Sequence, residues 1–142
     1  MNRRTRIIAL SALLLAAGLS HASVTTAAQS KPDDRVVVMY FHRTQRCPTC
    51  QKMGSYAEEA VQQGFAQQVA DGRVEFHFID FQKEANQALK KGYGVTGPSL
   101  IVAQVREGKV AEHKNLRDIW AKAGDKAAFL DYVREQVAAY LK

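Results

Sequence analysis

Val36-Val37-Val38-Met39-Tyr40-Phe41-His42-Arg43-Thr44-Gln45-Arg46-Cys47-Pro48-Thr49-Cys50 is the stretch whose reading decides the fold. Its first six residues are apolar throughout and mostly β-branched or aromatic. They form a run too short for a helix of ordinary length, as expected of a strand covered on both faces. Pro48 suits the first helical position, where a missing N–H costs nothing. The residue before a proline is pushed to extended geometry, which fits Cys47 as the N-cap. A strand therefore runs into a helix with a cysteine at the junction. The Cys47 sulfur then faces unpaired N–H groups and the positive end of the helix dipole, both of which favour thiolate over thiol. Arg43, Arg46 and His42 add positive charge nearby in this reading. Cys50, one turn further, is expected to be more buried and to hold its proton to higher pH. The two sulfurs thus take different roles: Cys47 attacks and Cys50 resolves. Thr49 places a neutral hydroxyl between them, which points to a redox potential between those of a strong reductant and a strong oxidant.

These are the only two cysteines in the chain, so within one molecule they can pair only with each other. Other uses of the pair compete with redox exchange. A purely structural disulfide usually closes a long loop, and this one is very short. A metal site would need the pair plus His42, His77 or His113, because zinc takes four ligands and no second paired motif is present. Covalent haem attachment is excluded by Gln51, which stands where the required histidine would be. No metal and no cofactor is expected.

Outward from the motif, the chain begins with a basic start at Arg3, Arg4 and Arg6, followed by an apolar core from Ile7 to Leu19 and then small residues. This is a secretory signal pattern, with cleavage expected after Ala22 or, alternatively, Ala28. The apolar stretch is short for a membrane span, and no cysteine follows it to carry a lipid. The expected organisation is a signal peptide over 1–22, a flexible lead-in over 23–34 and one domain over 35–142. The mature protein is then extracytoplasmic, in a bacterial periplasm, and not membrane-embedded. Removing residues 1–22 lowers the formal charge from +6 to +3. The basic balance is partly a property of the leader, and no nucleic-acid partner is read from it.

The remaining elements follow from periodicity and turn signals. Pro48 to about Gln68 reads as a helix burying Met53, Tyr56, Ala57, Ala60, Val61 and Phe65, with Gly54 and Gly64 marking a bend and an end. Asp71-Gly72 is a turn before a strand from Val74 to Phe81. Lys83 to Lys91 is a short helix stopped by Gly92. Ser99 to Val105 and Lys109 to His113 form a hairpin around Glu107-Gly108. Asn115 is expected to cap a short helix carrying Leu116, Ile119 and Trp120. Asp125 caps the last one, where Phe129, Leu130, Val133, Val137, Tyr140 and Leu141 recur at helical spacing. The order is β-α-β-α-β-β-α-α.

That order, with Cys47-Pro48-Thr49-Cys50 at the first strand–helix junction and Pro98 ahead of the third strand, resembles the thioredoxin fold. The resemblance covers essentially the whole chain after the lead-in. It implies an α/β domain with a central mixed sheet of about four strands flanked by helices. More narrowly, Tyr40 to Cys50 and the stretch Asn115-Leu116-Arg117-Asp118-Ile119-Trp120 look like small secreted thioredoxin-like proteins named nitrophenyl compound nitroreductase subunits (the ArsF family). That family implies a redox partnership, although nothing in this sequence resembles a flavin site. Three positions depart from thioredoxins. Arg46 stands where they carry a tryptophan, the first strand lacks their buried aspartate, and the loop before Pro98 is one residue tighter. The resemblance implies that Pro98 is a cis-proline facing the sulfurs, with Gly97 and Pro98 shaping a groove for a partner's extended chain. The alternative is an ordinary trans proline at a strand edge. Asp80 resembles a turn position of thioredoxins that caps the next helix.

The expected function is extracytoplasmic thiol–disulfide exchange through a mixed disulfide. Its partners would be protein thiols and disulfides, including a membrane or periplasmic redox partner. The alternatives are a non-catalytic redox subunit or a thiol pair binding a metal or arsenite on a partner enzyme, and an interaction protein whose cysteines are vestigial.

Overall fold

The computed structural model describes residues 32–142. The expected leader, its alternative end and most of the lead-in lie outside the described residues. Strand β1 (Arg35–His42) leads to helix α1 (Pro48–Gly64), the short helix α2 (Ala66–Ala70) and strand β2 (Val74–Asp80). A 3-10 turn (Glu84–Asn86) and helix α3 (Gln87–Gly92) precede the hairpin of β3 (Ser99–Arg106) and β4 (Lys109–Asn115). Helices α4 (Ile119–Lys122) and α5 (Lys126–Tyr140) end the chain. The expected order is present, with its first helix divided in two.

The four strands form one sheet in the order β2-β1-β3-β4. β1 runs parallel to β2 and antiparallel to β3, and β4 returns antiparallel beside β3. β1 is central because its apolar run can be buried on both faces, as alternation requires. Val36, Val38 and Tyr40 join Leu100 and Val102 on one face, under Met53, Ala57 and Val61 of α1 and Phe129, Val133 and Val137 of α5. Met39 and Phe41 join Ile101, Ala103, Phe81 and Val95 on the other. Each large aliphatic side chain buried this way contributes roughly 1.5–3 kcal/mol, so the helix-covered face dominates the core. Among the described residues, no helix is long and apolar enough to cross a membrane.

Four local expectations change. The first helix ends at Gly64, where a side chain would meet Arg134 of α5 at 3.0 Å, and Phe65 turns inward at φ −134° before α2 begins. Gly54 marks no bend. α1 runs through it, and an added Cβ would stand 3.0 Å from both the Tyr40 and Phe78 rings. Glycine is needed there for close approach of helix to sheet. Asn115 caps no helix, because it ends β4 opposite Ile101; Asp118 precedes α4 instead, without a side-chain bond. Asp80 caps no helix either: its carboxylate accepts from the Thr44 hydroxyl and the Gln82 N–H, and Lys83 stands at the start of the next helical turn. The Asp125 cap is present, accepting from Ala128 N–H at 3.0 Å.

Candidate functional site

Cys47 is the N-cap of α1, extended at φ −70°, ψ 160°, with Pro48 following at the start of the helix. Its sulfur accepts from the Cys50 backbone N–H at 3.3 Å and lies 2.8 Å from the Cys50 sulfur. Cys47 is exposed and Cys50 is buried. The Cys47 pKa is lowered, first by the hydrogen bond from the Cys50 thiol and then by backbone N–H groups at the helix start. The Cys50 pKa is raised, first by burial and then by its bond to Cys47. The expected asymmetry is therefore present, but its leading cause is the partner thiol. The arginines are turned to other tasks: the Arg46 guanidinium lies 5.2 Å over the Phe78 ring and that of Arg43 5.9 Å over the Phe81 ring.

Two buried supports hold this junction, and both come from β-strand ends. Tyr40 is fully buried, and its hydroxyl donates to the Cys50 carbonyl at 2.8 Å. Burial pushes its phenol well above the ordinary range, so it stays a proton donor to that carbonyl. The second support is Asp80, which accepts from the Thr44 hydroxyl at 2.7 Å and from Gln82 N–H at 3.0 Å. Gln82 in turn accepts from Thr44 N–H at 2.9 Å. Burial opposes ionisation of Asp80, but these donors outweigh it and lower the pKa. The loop carrying Arg43, Gln45 and Arg46 is thus clamped to the end of β2. The sequence reading missed Tyr40, Thr44 and Gln82 as site residues. The available signal for Tyr40 was a phenol within the otherwise apolar run Val36 to Phe41, since a buried hydroxyl needs a partner.

Pro98 shares a hollow of about 160 Å³ with Arg43, Gln45, Arg46, Cys47 and Cys50. The expected cis bond is a correction: no described peptide bond is cis, so Gly97–Pro98 is trans. The tighter loop before Pro98 is the local difference from the thioredoxin pattern. A wider hollow of about 480 Å³ adjoins Cys47 on the side of Arg43, Arg46 and Gln82. On the other side of Pro98 a groove of about 490 Å³ runs past Gly97, Thr96, Arg117 and Trp120. A Cβ at Gly97 would meet nothing within 4 Å, so that approach is open. Thr49 is exposed, and its N–H helps to lower the Cys47 pKa.

The histidines are not gathered at the sulfurs. His42 lines none of these hollows; its Nδ1 lies 2.8 Å from the Arg43 carbonyl and its ring meets Phe78 edge-on. His77 pairs with Glu75 at 2.9 Å, and His113 meets the Tyr93 ring edge-on, with centroids 5.0 Å apart. Among the described residues, no group of three or more His, Cys, Asp or Glu side chains could hold a metal.

No family model and no curated protein matches this chain. Among solved structures, form II of human ERp44 is similar at 20% identity and a TM-score of 0.50, over 73% of this chain and 26% of ERp44. The fold is thioredoxin-like. Zinc-bound human ERp44 is similar at 20% identity and a TM-score of 0.49, over 73% of this chain and 27% of that one. A thioredoxin from Thermus thermophilus is similar at 22% identity and a TM-score of 0.45, over 72% of this chain and 73% of that one. The chain spans about a quarter of the length of the ERp44 structures it matches. At these identities the likeness is one of fold alone.

Proposed function

We propose that this protein is a thiol–disulfide oxidoreductase acting outside the cytoplasm. The observation that carries this reading is the exposed Cys47 sulfur at the helix cap, 2.8 Å from the buried Cys50 sulfur. Cys47 thiolate attacks a substrate disulfide, forming one sulfur–sulfur bond and releasing the other substrate sulfur as a thiolate. Cys50 then gives its proton to solvent and attacks Cys47. The Cys47–Cys50 bond closes, the second substrate thiolate leaves, and two electrons have passed to the substrate. An external dithiol, in a membrane or periplasmic redox partner, returns them. With the pair oxidised, the same steps run in reverse on a substrate dithiol.

The extracytoplasmic setting is supported by the basic start and apolar core over residues 3–19. The trans bond before Pro98 favours a second reading, because it departs from the groove expected of a general disulfide reductase. In that reading the pair serves one enzyme as a redox subunit, as the nitroreductase-subunit likeness implies, or binds a soft ion such as arsenite through two thiolates.

Trapping tests the first reading. A Cys50→Ser variant should accumulate mixed disulfides that thiols reverse, and Cys47→Ser should not; trapping through Cys50 alone would reverse the roles. Catalysed reduction of insulin disulfides by the native pair supports a general oxidoreductase. Inertness toward insulin with stoichiometric arsenite binding supports the second reading.

A further inference from the structure

Seven arginines lie within the described residues. Arg35, Arg73, Arg106 and Arg134 each have a carboxylate partner, in Glu75, Asp71, Asp34 and Asp131. Arg43, Arg46 and Arg117 have none among the described residues, and these are the three that line the hollows around Cys47 and Pro98. No acidic side chain lines any of those hollows. Two of the three are also held in place. Arg46 rests over Phe78 and Arg43 over Phe81, with their loop fixed by the Thr44–Asp80 and Thr44–Gln82 bonds. A guanidinium stacked on a ring keeps its N–H edge free, and that edge matches a carboxylate. Ordering the fork beforehand reduces what binding must immobilise.

We propose that this site selects thiols and disulfides whose reacting sulfur is flanked by carboxylates, with Arg43 and Arg46 receiving the acid beside the sulfur. Arg117, across Pro98, receives a second acid when the substrate is an extended peptide. Gln45 and Gln82 line the same hollows and supply neutral donors to the same groups. This proposal rests on the oxidoreductase reading and names its substrate class. The chemical step is the exchange already described, with an external dithiol as reductant.

The test is the reaction of the reduced protein with three small disulfides: dithiodipropionate, which is anionic, cystamine, which is cationic, and neutral hydroxyethyl disulfide. A parallel pair of peptide disulfides carries Glu or Lys on both sides of the cysteine. For each pair, the anionic-to-cationic rate ratio is compared between native protein and an Arg43→Gln/Arg46→Gln variant, so intrinsic leaving-group differences cancel. The double substitution should lower the ratio by about tenfold, and salt at about 0.5 M should compress the native ratio. Arg117→Gln should lower the ratio for the peptides and leave that for the small disulfides in place. This arm separates a peptide source from a free acidic thiol. A ratio unmoved by both the double substitution and salt overturns the proposal while leaving exchange with the neutral disulfide intact. Failure of all the disulfides to react overturns the oxidoreductase reading, and the proposal with it. A ratio that salt compresses but the folded double variant leaves in place also overturns the proposal, because the chain's other cations then supply the attraction.

Discussion

Cys47 is exposed and Cys50, one turn along α1, is buried, yet the hydrogen bond between them is the first cause of the lowered Cys47 pKa. Reactivity tracks thiolate, so the alkylation rate of Cys47 should reach its half-maximum below the ordinary value of 9.0. It should fall about tenfold for each pH unit below that midpoint, because the thiolate fraction does. Cys50→Ala removes the donor and should move the midpoint upward, whereas Arg46→Gln should move it less. A larger effect at Arg46 would restore surface charge as the cause. Tyr40→Phe probes the other end of this turn. It leaves the Cys50 carbonyl without its buried donor and should lower unfolding stability by about 1–2 kcal/mol, read as a shift in urea midpoint at constant slope. The pairing of Cys47 with a helix start was legible in Cys47-Pro48, since proline geometry acts on its nearest neighbour. The Tyr40 contact spans ten residues and two elements, and no local pattern encodes which carbonyl a phenol will meet.

At the scale of elements, Gly54 and Asp80 show how α1 and the loop before it are set against the sheet. Alanine at position 54 gains about 1 kcal/mol of helix propensity over glycine. It also drives a methyl group to 3.0 Å from the Tyr40 and Phe78 rings. Phe78 can turn toward solvent, but Tyr40 is enclosed and tied to Cys50. Gly54→Ala should therefore lower the unfolding midpoint despite its propensity; a rise would mean the rings yield without cost. Asp80 has a carboxyl pKa below 3.8, so its ionised form stabilises the folded state at and above neutral pH. That contribution fades as pH falls through the folded pKa. Asp80→Asn should flatten the acid limb of stability against pH, with little change in its shape above pH about 5. The strands, the long helices and the Asp125 cap were legible because alternation, helical spacing and capping are local. The start of α1 at Pro48 and the break at Gly64 were legible for the same reason. The separate α2, the cap of α4 and the duty of Asp80 were not, because each is settled by packing or by groups arriving from elsewhere: the inward turn of Phe65, the register of β4, and Thr44.

For the molecule as a whole, the groove past Pro98 holds the chain's one tryptophan, Trp120, which is 48% exposed. A peptide joined to Cys47 and extended across Pro98 must cover it. Formation of the mixed disulfide with a Glu-flanked peptide should shift Trp120 emission to shorter wavelength, and dithiol release should restore it. A small disulfide confined to the Arg43–Arg46 side should leave the emission unchanged. An unchanged spectrum with the peptide as well would mean that bound chains leave the site in another direction. The fold and the cysteine end of this surface were legible in advance. The groove was only half legible, because Pro98 has the expected place but not the expected bond geometry.

β4 has a consequence of a different kind. It is the outer strand of the sheet, and every residue from Lys109 to Lys114 is exposed. Such a border can template pairing between copies, the first step toward insoluble aggregates. Lys109, Glu112 and Lys114 set charge along it, and an irregularity opposite Gln104 and Val105 breaks its straightness. A second copy laid alongside would bring like charges together on a bent template. β4 is thus a poor template for a second copy, while Cys47, beyond the C-terminal end of β1, stays open to other chains.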